Sequence, residues 1–236
     1  MTVSIAFVFA RGDSKGVLDK NLRTVGGVPL VVRAIRCAQQ CAEIDVVAVS
    51  TDSQRIADLA LDAGALVPTL RPAHLASDDS PELAAWRHAI SWFTDDANQP
   101  GFELFVSVPP TAPLRRPEDL ARCVAEYRRG GCDIVVTGTT ARRHPSFNMV
   151  ARGSDGLVNL LSPLPYGVVR RQDAPGAFDL ATVAYVCSPQ HVLTTESVLA
   201  GRVRLVEIAA ERAIDIDDEL DLAIANYLAL NGSELP

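Results

Sequence analysis

Between residues 3 and 137, short apolar runs alternate with stretches whose apolar positions recur every three or four residues. Few architectures accept that alternation. The runs at 3–10, 45–50, 102–108 and 134–137 read as strands. Between them, residues 30–40 place Leu30, Val31, Ala34, Ile35 and Ala38 along one face of a helix, and 54–63, 81–93 and 118–129 continue the pattern. Thr51, Asp52 and Ser53 can cap the helix that starts at 54, and Pro117 suits a first helical turn. Strands separated by amphipathic helices predict a Rossmann-like, three-layer α/β fold whose mostly parallel sheet is covered on both faces.

Residues 139–182 break this rhythm. They are rich in Arg, Pro, Gly and Asp, yet apolar pieces recur at 147–150 and 157–161, which predicts a hairpin excursion and not a linker. Strands resume at 183–187 and 203–208, and an amphipathic helix at 218–230 closes the fold. One domain over residues 1–236 is expected, with a core mainly of Ala, Val, Leu and Ile because only 6% of residues are aromatic. A net charge of -7 and the lack of a basic stripe argue against nucleic-acid binding. No apolar run is long enough to span a membrane, and a strand starting at residue 3 predicts no secretory signal. The five cysteines lack paired metal spacing, so Cys37 and Cys41, one helical turn apart, are expected as buried thiols with the others. A soluble cytoplasmic protein is the expectation.

Function is written most densely just after the first strand. Ala10, Arg11, Gly12, Ser14, Lys15, Gly16, Lys20 and Asn21 follow one another in a single loop. The glycines let backbone N–H groups approach a ligand, while Arg11, Lys15 and Lys20 bring three cations to one place. A polyphosphate needs that combination, because its charge must be spread over many donors. The spacing is neither G-x-x-x-x-G-K-[ST] nor G-x-G-x-x-G.

Three further motifs carry chemistry. Arg71 to Ser80 reads R-P-A-H-L-A-S-D-D-S, in which Arg71, Ala76, Ser77 and Ser80 can surround a planar base edge. Asp78, Asp79 and Ser80 could also simply cap the helix at 81. Asp215 and Asp217 alternate with Ile214 and Ile216, so in an extended chain both carboxylates face one side and suit a hard divalent cation. Capping of the last helix accounts for one acid of this cluster, and Asp52 is the rival metal ligand. Arg170, Arg171 and Gln172 offer guanidinium forks to a carboxylate or phosphate.

Taken together, these segments resemble the cytidylyltransferases that activate sialic acids and related sugar acids. The first motif of that family is close to A-R-x-x-S-K-G-x-x-x-K-N, and every position matches. The R-P-x-x-L-A-S-D-x-S, I-D-I-D and R-R-Q-D-x-P motifs match as well, and the resemblance runs to about residue 230. It implies a nucleotidyltransferase fold, CTP as donor, magnesium on Asp215 and Asp217, and a homodimer formed through the excursion at 139–182. It also implies an acceptor site around Thr111, Arg170, Arg171 and Gln172.

Departures from the pattern cluster on the acceptor side. Where the family usually carries L-Q-P-T-S-P-L-R, this chain has Pro109 and Ala112 in place of the glutamine and the serine. Phe178 and Ala181 fall where a tyrosine and the Asn-Gly pair are common. Pro109, Ala112, Phe178 and Ala181 are therefore expected to line a less polar acceptor pocket, with N-acetylneuraminate a poor fit. The implied reaction moves CMP from CTP to a sialic acid-like 2-keto-3-deoxy sugar acid and releases pyrophosphate. A deoxyoctulosonate or phosphonate acceptor, or a nucleotide-binding protein without catalysis, are the alternatives.

Overall fold

Strand β1, Ser4–Phe9, splits its side chains between two cores because successive residues of a strand face opposite ways. Ala6 and Val8 enter one core; Ile5 and Phe7 enter the other. The computed structural model describes residues 3–13, 16–77, 80–94, 101–165, 167 and 170–232, without the side chains of Thr94 and Arg171.

After β1 come the ribbon β2 (Thr24–Val25) and β3 (Val28–Pro29), helix α1 (Leu30–Gln39), β4 (Val46–Ser50) and α2 (Gln54–Asp62). Next are α3 (Glu82–Thr94), β5 (Leu104–Ser107), α4 (Pro117–Arg128) and β6 (Ile134–Thr140). The hairpin β7 (Val150–Arg152) and β8 (Val158–Leu160) leads to β9 (Phe178–Cys187), α5 (Pro189–Thr194), β10 (Val203–Glu207) and α6 (Glu219–Asn231). The main sheet has the order β10-β6-β9-β5-β1-β4. Its β1–β4, β1–β5 and β10–β6 pairs are parallel.

The expected α/β architecture is present, with one addition. Strand β9 is antiparallel to both β5 and β6 and longer than the predicted 183–187. A register shift against β6 between Val135 and Thr137 accompanies it, and the Thr137 hydroxyl accepts from Ala184 N there.

The two layers differ in chemistry. Helices α1, α2 and α4 pack Val31, Ile35, Ile56, Leu120 and Val124 on one face of the sheet, as expected for an aliphatic core. The α3 face departs from that expectation. Trp86 and Phe93 of α3 join Phe7, Phe102 and Phe105, with the Phe7–Phe105 and Trp86–Phe105 ring centroids each 5.0 Å apart. Few aromatics suffice for a dense layer when most of the phenylalanines gather on one face.

The excursion forms the separate two-stranded sheet of β7 and β8. At its base His144 Nε2 donates to Pro175 O at 2.8 Å while Nδ1 accepts from Ser146 N at 3.0 Å, closing the stem. Helix α6 is capped by Asp218, which accepts from Leu220 N and Asp221 N. It is not amphipathic as predicted: it buries Leu222 and Ala225 but exposes Leu220, Ile224, Tyr227 and Leu230. All five cysteines are buried free thiols, and burial pushes Cys37 up to about 11 and Cys123 up to about 12.

Candidate active site

The loop leaving β1, the segment between α2 and α3 and the loop leaving β5 converge beyond the carboxyl ends of the parallel strands, as open α/β sheets require of a ligand crevice. They enclose a cleft of about 380 Å³. Arg11, Lys20 and Asn21 line one part of its wall, while Arg71, Ala76, Ser77 and Ser80 line another and Thr111 a third. Eight residues singled out from the sequence thus meet in one place.

The phosphate loop is held from beneath. Asn21 is buried and donates from Nδ2 to Arg11 O at 2.9 Å, which fixes the backbone that carries the arginine. Gly12 N donates to Asp52 Oδ1 at 2.9 Å. Asp52 Oδ1 also lies 3.9 Å from Arg71 Nη2. The Asp52 carboxylate therefore ties the phosphate loop to the Arg71 segment. Ala10 does not reach the cleft; it is fully buried in the aliphatic core. Ser14 and Lys15 lie outside the described residues.

Gly16 explains itself by contact. A Cβ built there would stand 2.1 Å from Asp217 O, far inside van der Waals distance. Only glycine lets the loop touch the segment that carries the two aspartates. Lys20 completes this junction, with Nζ donating to Ile216 O at 2.6 Å and lying 3.6 Å from Asp217 Oδ1.

That acidic segment belongs to no strand and bends at Asp217 and Asp218. Ile216 is fully buried, Asp217 has a side chain 81% exposed, and Asp215 is intermediate. Asp215 Oδ1 is buried without a hydrogen-bond partner. Among the described residues no group of three or more His, Cys, Asp or Glu side chains forms a metal cluster.

At the other part of the wall, Arg71 is only 7% exposed and its Nε has no partner. Burial lowers its pKa, and the neighbouring Arg11 charge lowers it further against the opposing pull of Asp52. Ser80 Oγ is also buried without a partner. Donors left unsatisfied beside a cleft are costly unless a ligand supplies the acceptor. Phe9, Glu82, Pro109 and Pro110 line the cleft as well. Sequence reasoning overlooks Glu82, which looks like an ordinary first-turn acid of α3; burial raises its pKa. Burial likewise pushes Tyr185 up to about 12, helped by the charges of Glu82 and Asp215.

The acceptor expectations need correction. Of Pro109, Ala112, Phe178 and Ala181, only Pro109 lines the cleft. Ala112 and Ala181 are 0% and 3% exposed and pack in the aliphatic core, while Phe178 is 46% exposed at the start of β9. Arg170 and Gln172 are exposed around the 3-10 turn Arg171–Asp173, with Arg170 Nε 3.5 Å from Asp173. Neither lines the cleft of its own chain.

A family model described as Cytidylyltransferase matches residues 5–152, which include the phosphate loop, the Arg71 segment and the Pro109 loop. The chain belongs to the cytidylyltransferase family, a family of nucleotidyltransferases. Within it, the chain is 30% identical to the CMP-N,N'-diacetyllegionaminic acid synthase of Campylobacter jejuni, over 97% of this chain and 95% of that protein. It is 28% identical to the Post-translational flagellin modification protein B of Campylobacter coli, with the same coverage. The N-acylneuraminate cytidylyltransferase of Escherichia coli is 30% identical over 95% of this chain but only 51% of its own length. Among solved structures, the CMP:2-keto-3-deoxy-manno-octonic acid synthetase complexed with CTP shares the fold at 16% identity. Its TM-score is 0.73, over 99% of this chain and 100% of that one.

Proposed function

We propose that this cytidylyltransferase moves CMP from CTP to a sialic acid-like 2-keto-3-deoxy sugar acid and releases pyrophosphate. One observation carries the reading: a single cleft joins a cationic part at Arg11 and Lys20 to a hydrogen-bonding part at Arg71, Ser77 and Ser80. Triphosphate suits the first and cytosine with its ribose the second. The acceptor hydroxyl attacks the α-phosphorus in line and the bond to pyrophosphate breaks. Arg11, Lys15 and Lys20 hold the triphosphate and offset charge on the leaving group. Such transfers depend chiefly on positioning and charge neutralisation.

The aspartate pair fits magnesium, since Asp215 keeps a buried oxygen without a partner and Asp217 faces solvent. Bound there, the ion would neutralise phosphate oxygens. Arg170, Arg171 and Gln172 take the acid group of the acceptor, with Thr111 at the cleft wall. Because Arg170 and Gln172 do not line their own cleft, a homodimer that brings them to the neighbouring one accommodates this role. The hairpin supplies apolar surface for it, with Val150, Leu157, Val158 and Leu161 exposed. No helix of the described residues is long and apolar enough to cross a membrane, which accords with work in the cytoplasm where CTP is made.

A legionaminic-type acid is favoured over N-acetylneuraminate. The diacetyllegionaminic acid synthases of Campylobacter jejuni and Legionella pneumophila match this chain over 95% of their own lengths. Pro109 also removes an amide from the cleft wall. The test is pyrophosphate release from each of the four nucleoside triphosphates against a panel of sugar acids. Turnover with CTP and a diacetylated acid, and little with N-acetylneuraminate, is expected. Release independent of any sugar acid would overturn the assignment.

A further inference from the structure

Arg115 lies beneath the cleft, where the chain turns from β5 into α4, and is only 6% exposed. Its Nη2 donates to Pro109 O, and to Thr182 O at 3.2 Å. Its Nε and Nη1 are buried and have no partner, and Asp215 Oδ1 is buried without one too. Among the described residues no carboxylate is in ion-pair contact with this guanidinium. Burial pulls its pKa down to about 10, against smaller opposing influences of Cys37, Asp215 and Asp119.

The parts around it are knitted together. Thr111 O accepts from Ile216 N at 2.9 Å, and the Thr111 and Thr182 hydroxyls are 3.0 Å apart. Arg115 thus ties the Pro109 carbonyl to strand β9, and Thr111 of the same wall ties on the aspartate segment. A buried guanidinium is costly when its charge is uncompensated, and its fork can hold two groups in fixed relation where a lysine cannot.

We infer that Arg115 is a positioning residue that holds the Pro109–Thr111 wall of the cleft against β9 and, through the hydrogen bond from Ile216 N to Thr111 O, sets the segment that carries Asp215. The inference rests on the proposed reading of Asp215 as a metal ligand. Groups that orient a metal ligand from behind typically alter metal affinity by about 10–100-fold when lost. A residue that only stabilised the loop would change melting temperature and leave metal response alone.

The experiment uses the full chain and three variants, Arg115→Met, Arg115→Lys and Asp215→Asn. Circular dichroism checks folding, and isothermal titration of CTP is done with and without MgCl2. Magnesium half-saturation of pyrophosphate release is measured in parallel. Arg115→Met is expected to leave metal-free CTP affinity within about twofold while raising magnesium half-saturation about tenfold or more. Arg115→Lys should restore part of that response, since it keeps the charge but loses the fork. If Arg115→Met fails to fold, the lysine variant decides, with a threefold or larger rise expected. Wild-type magnesium response in a folded Arg115 variant, alongside its loss in Asp215→Asn, would overturn this inference alone. Wild-type response in Asp215→Asn would overturn the metal reading on which it rests.

Discussion

The proposed nucleotide side and the proposed acceptor side of the cleft are built by different rules. On the nucleotide side, the loop after β1 and the segment between α2 and α3 deliver side chains directly into the cleft, and most of the described residues of their two motifs line it. On the acceptor side, the corresponding residues belong to a tight turn and to a strand, whose pleat sends neighbours to opposite faces. Pro109 and Thr111 reach the cleft while Ala112 and Ala181 vanish into the core. A motif match in a loop is thus a statement about the site. A mismatch in a strand is as often a statement about packing.

Gly16→Ala should break the nucleotide side most severely. The added carbon would meet Asp217 O at 2.1 Å, so loop and aspartate segment must separate. A displacement of about an ångström costs on the order of 100-fold in turnover, and kcat/KM for CTP should fall by that much with the fold intact by circular dichroism. Near-normal activity would show that the loop and the segment need not touch. Arg11→Ala should have a smaller effect, about 10–100-fold in kcat/KM for CTP. It removes one charge-assisted contact, worth about 1.5–3 kcal/mol, and leaves the backbone brace of Asn21 in place. Its acceptor KM should move little.

Two substitutions toward the common family pattern sharpen the contrast between cleft and core. Pro109→Gln places an amide on the cleft wall and should improve N-acetylneuraminate relative to a diacetylated acid by about tenfold, the value of one hydrogen bond. Ala112→Ser adds a hydroxyl at a position with no exposure. If unpaired, that hydroxyl costs about 1–3 kcal/mol of stability, and acceptor preference should stay unchanged. A selectivity change from Ala112→Ser without loss of stability would show that the core assignment is wrong.

The same contrast explains how far the sequence can be read. The phosphate loop is legible because glycines and cations fall in one contiguous run whose chemistry does not depend on distant packing. The order of strands and helices is legible from periodicity alone. The direction of β9 is not, since an apolar run says strand without saying which neighbour it pairs with. The place of Arg115 is hidden for a similar reason: it reads as one more arginine before a helix. Only its packing between the Pro109 loop and strand β9 makes it a buried cation. Helix α6 defeats the amphipathic expectation because apolar residues occur on its outer side as well as its inner one.

The smallest effect lies at the opposite ends of the strands and serves as a control on the whole comparison. Asp133 precedes β6 and Arg202 precedes β10. Asp133 accepts from Arg202 N at 2.7 Å and from its Nη2 at 2.9 Å. Gly201, at φ +82°, allows this turn, and a Cβ there would lie 2.8 Å from Asp133 Oδ2. The Arg202 hydrogen bonds hold the Asp133 carboxyl down at about 2, from an ordinary 3.8. A carboxyl whose folded pKa is depressed adds stability above its unfolded value and loses it as pH falls toward the folded one. The wild type should therefore lose more melting temperature than Asp133→Asn as pH drops from about 4 toward 2, and the two curves should run parallel above that window. The pair is exposed to solvent, so the difference should also shrink in high salt. Cytidylyl transfer at neutral pH should be the same in both proteins, because nothing in this pair reaches the cleft. An activity loss without a stability change would mean that the far edge of the sheet communicates with the site.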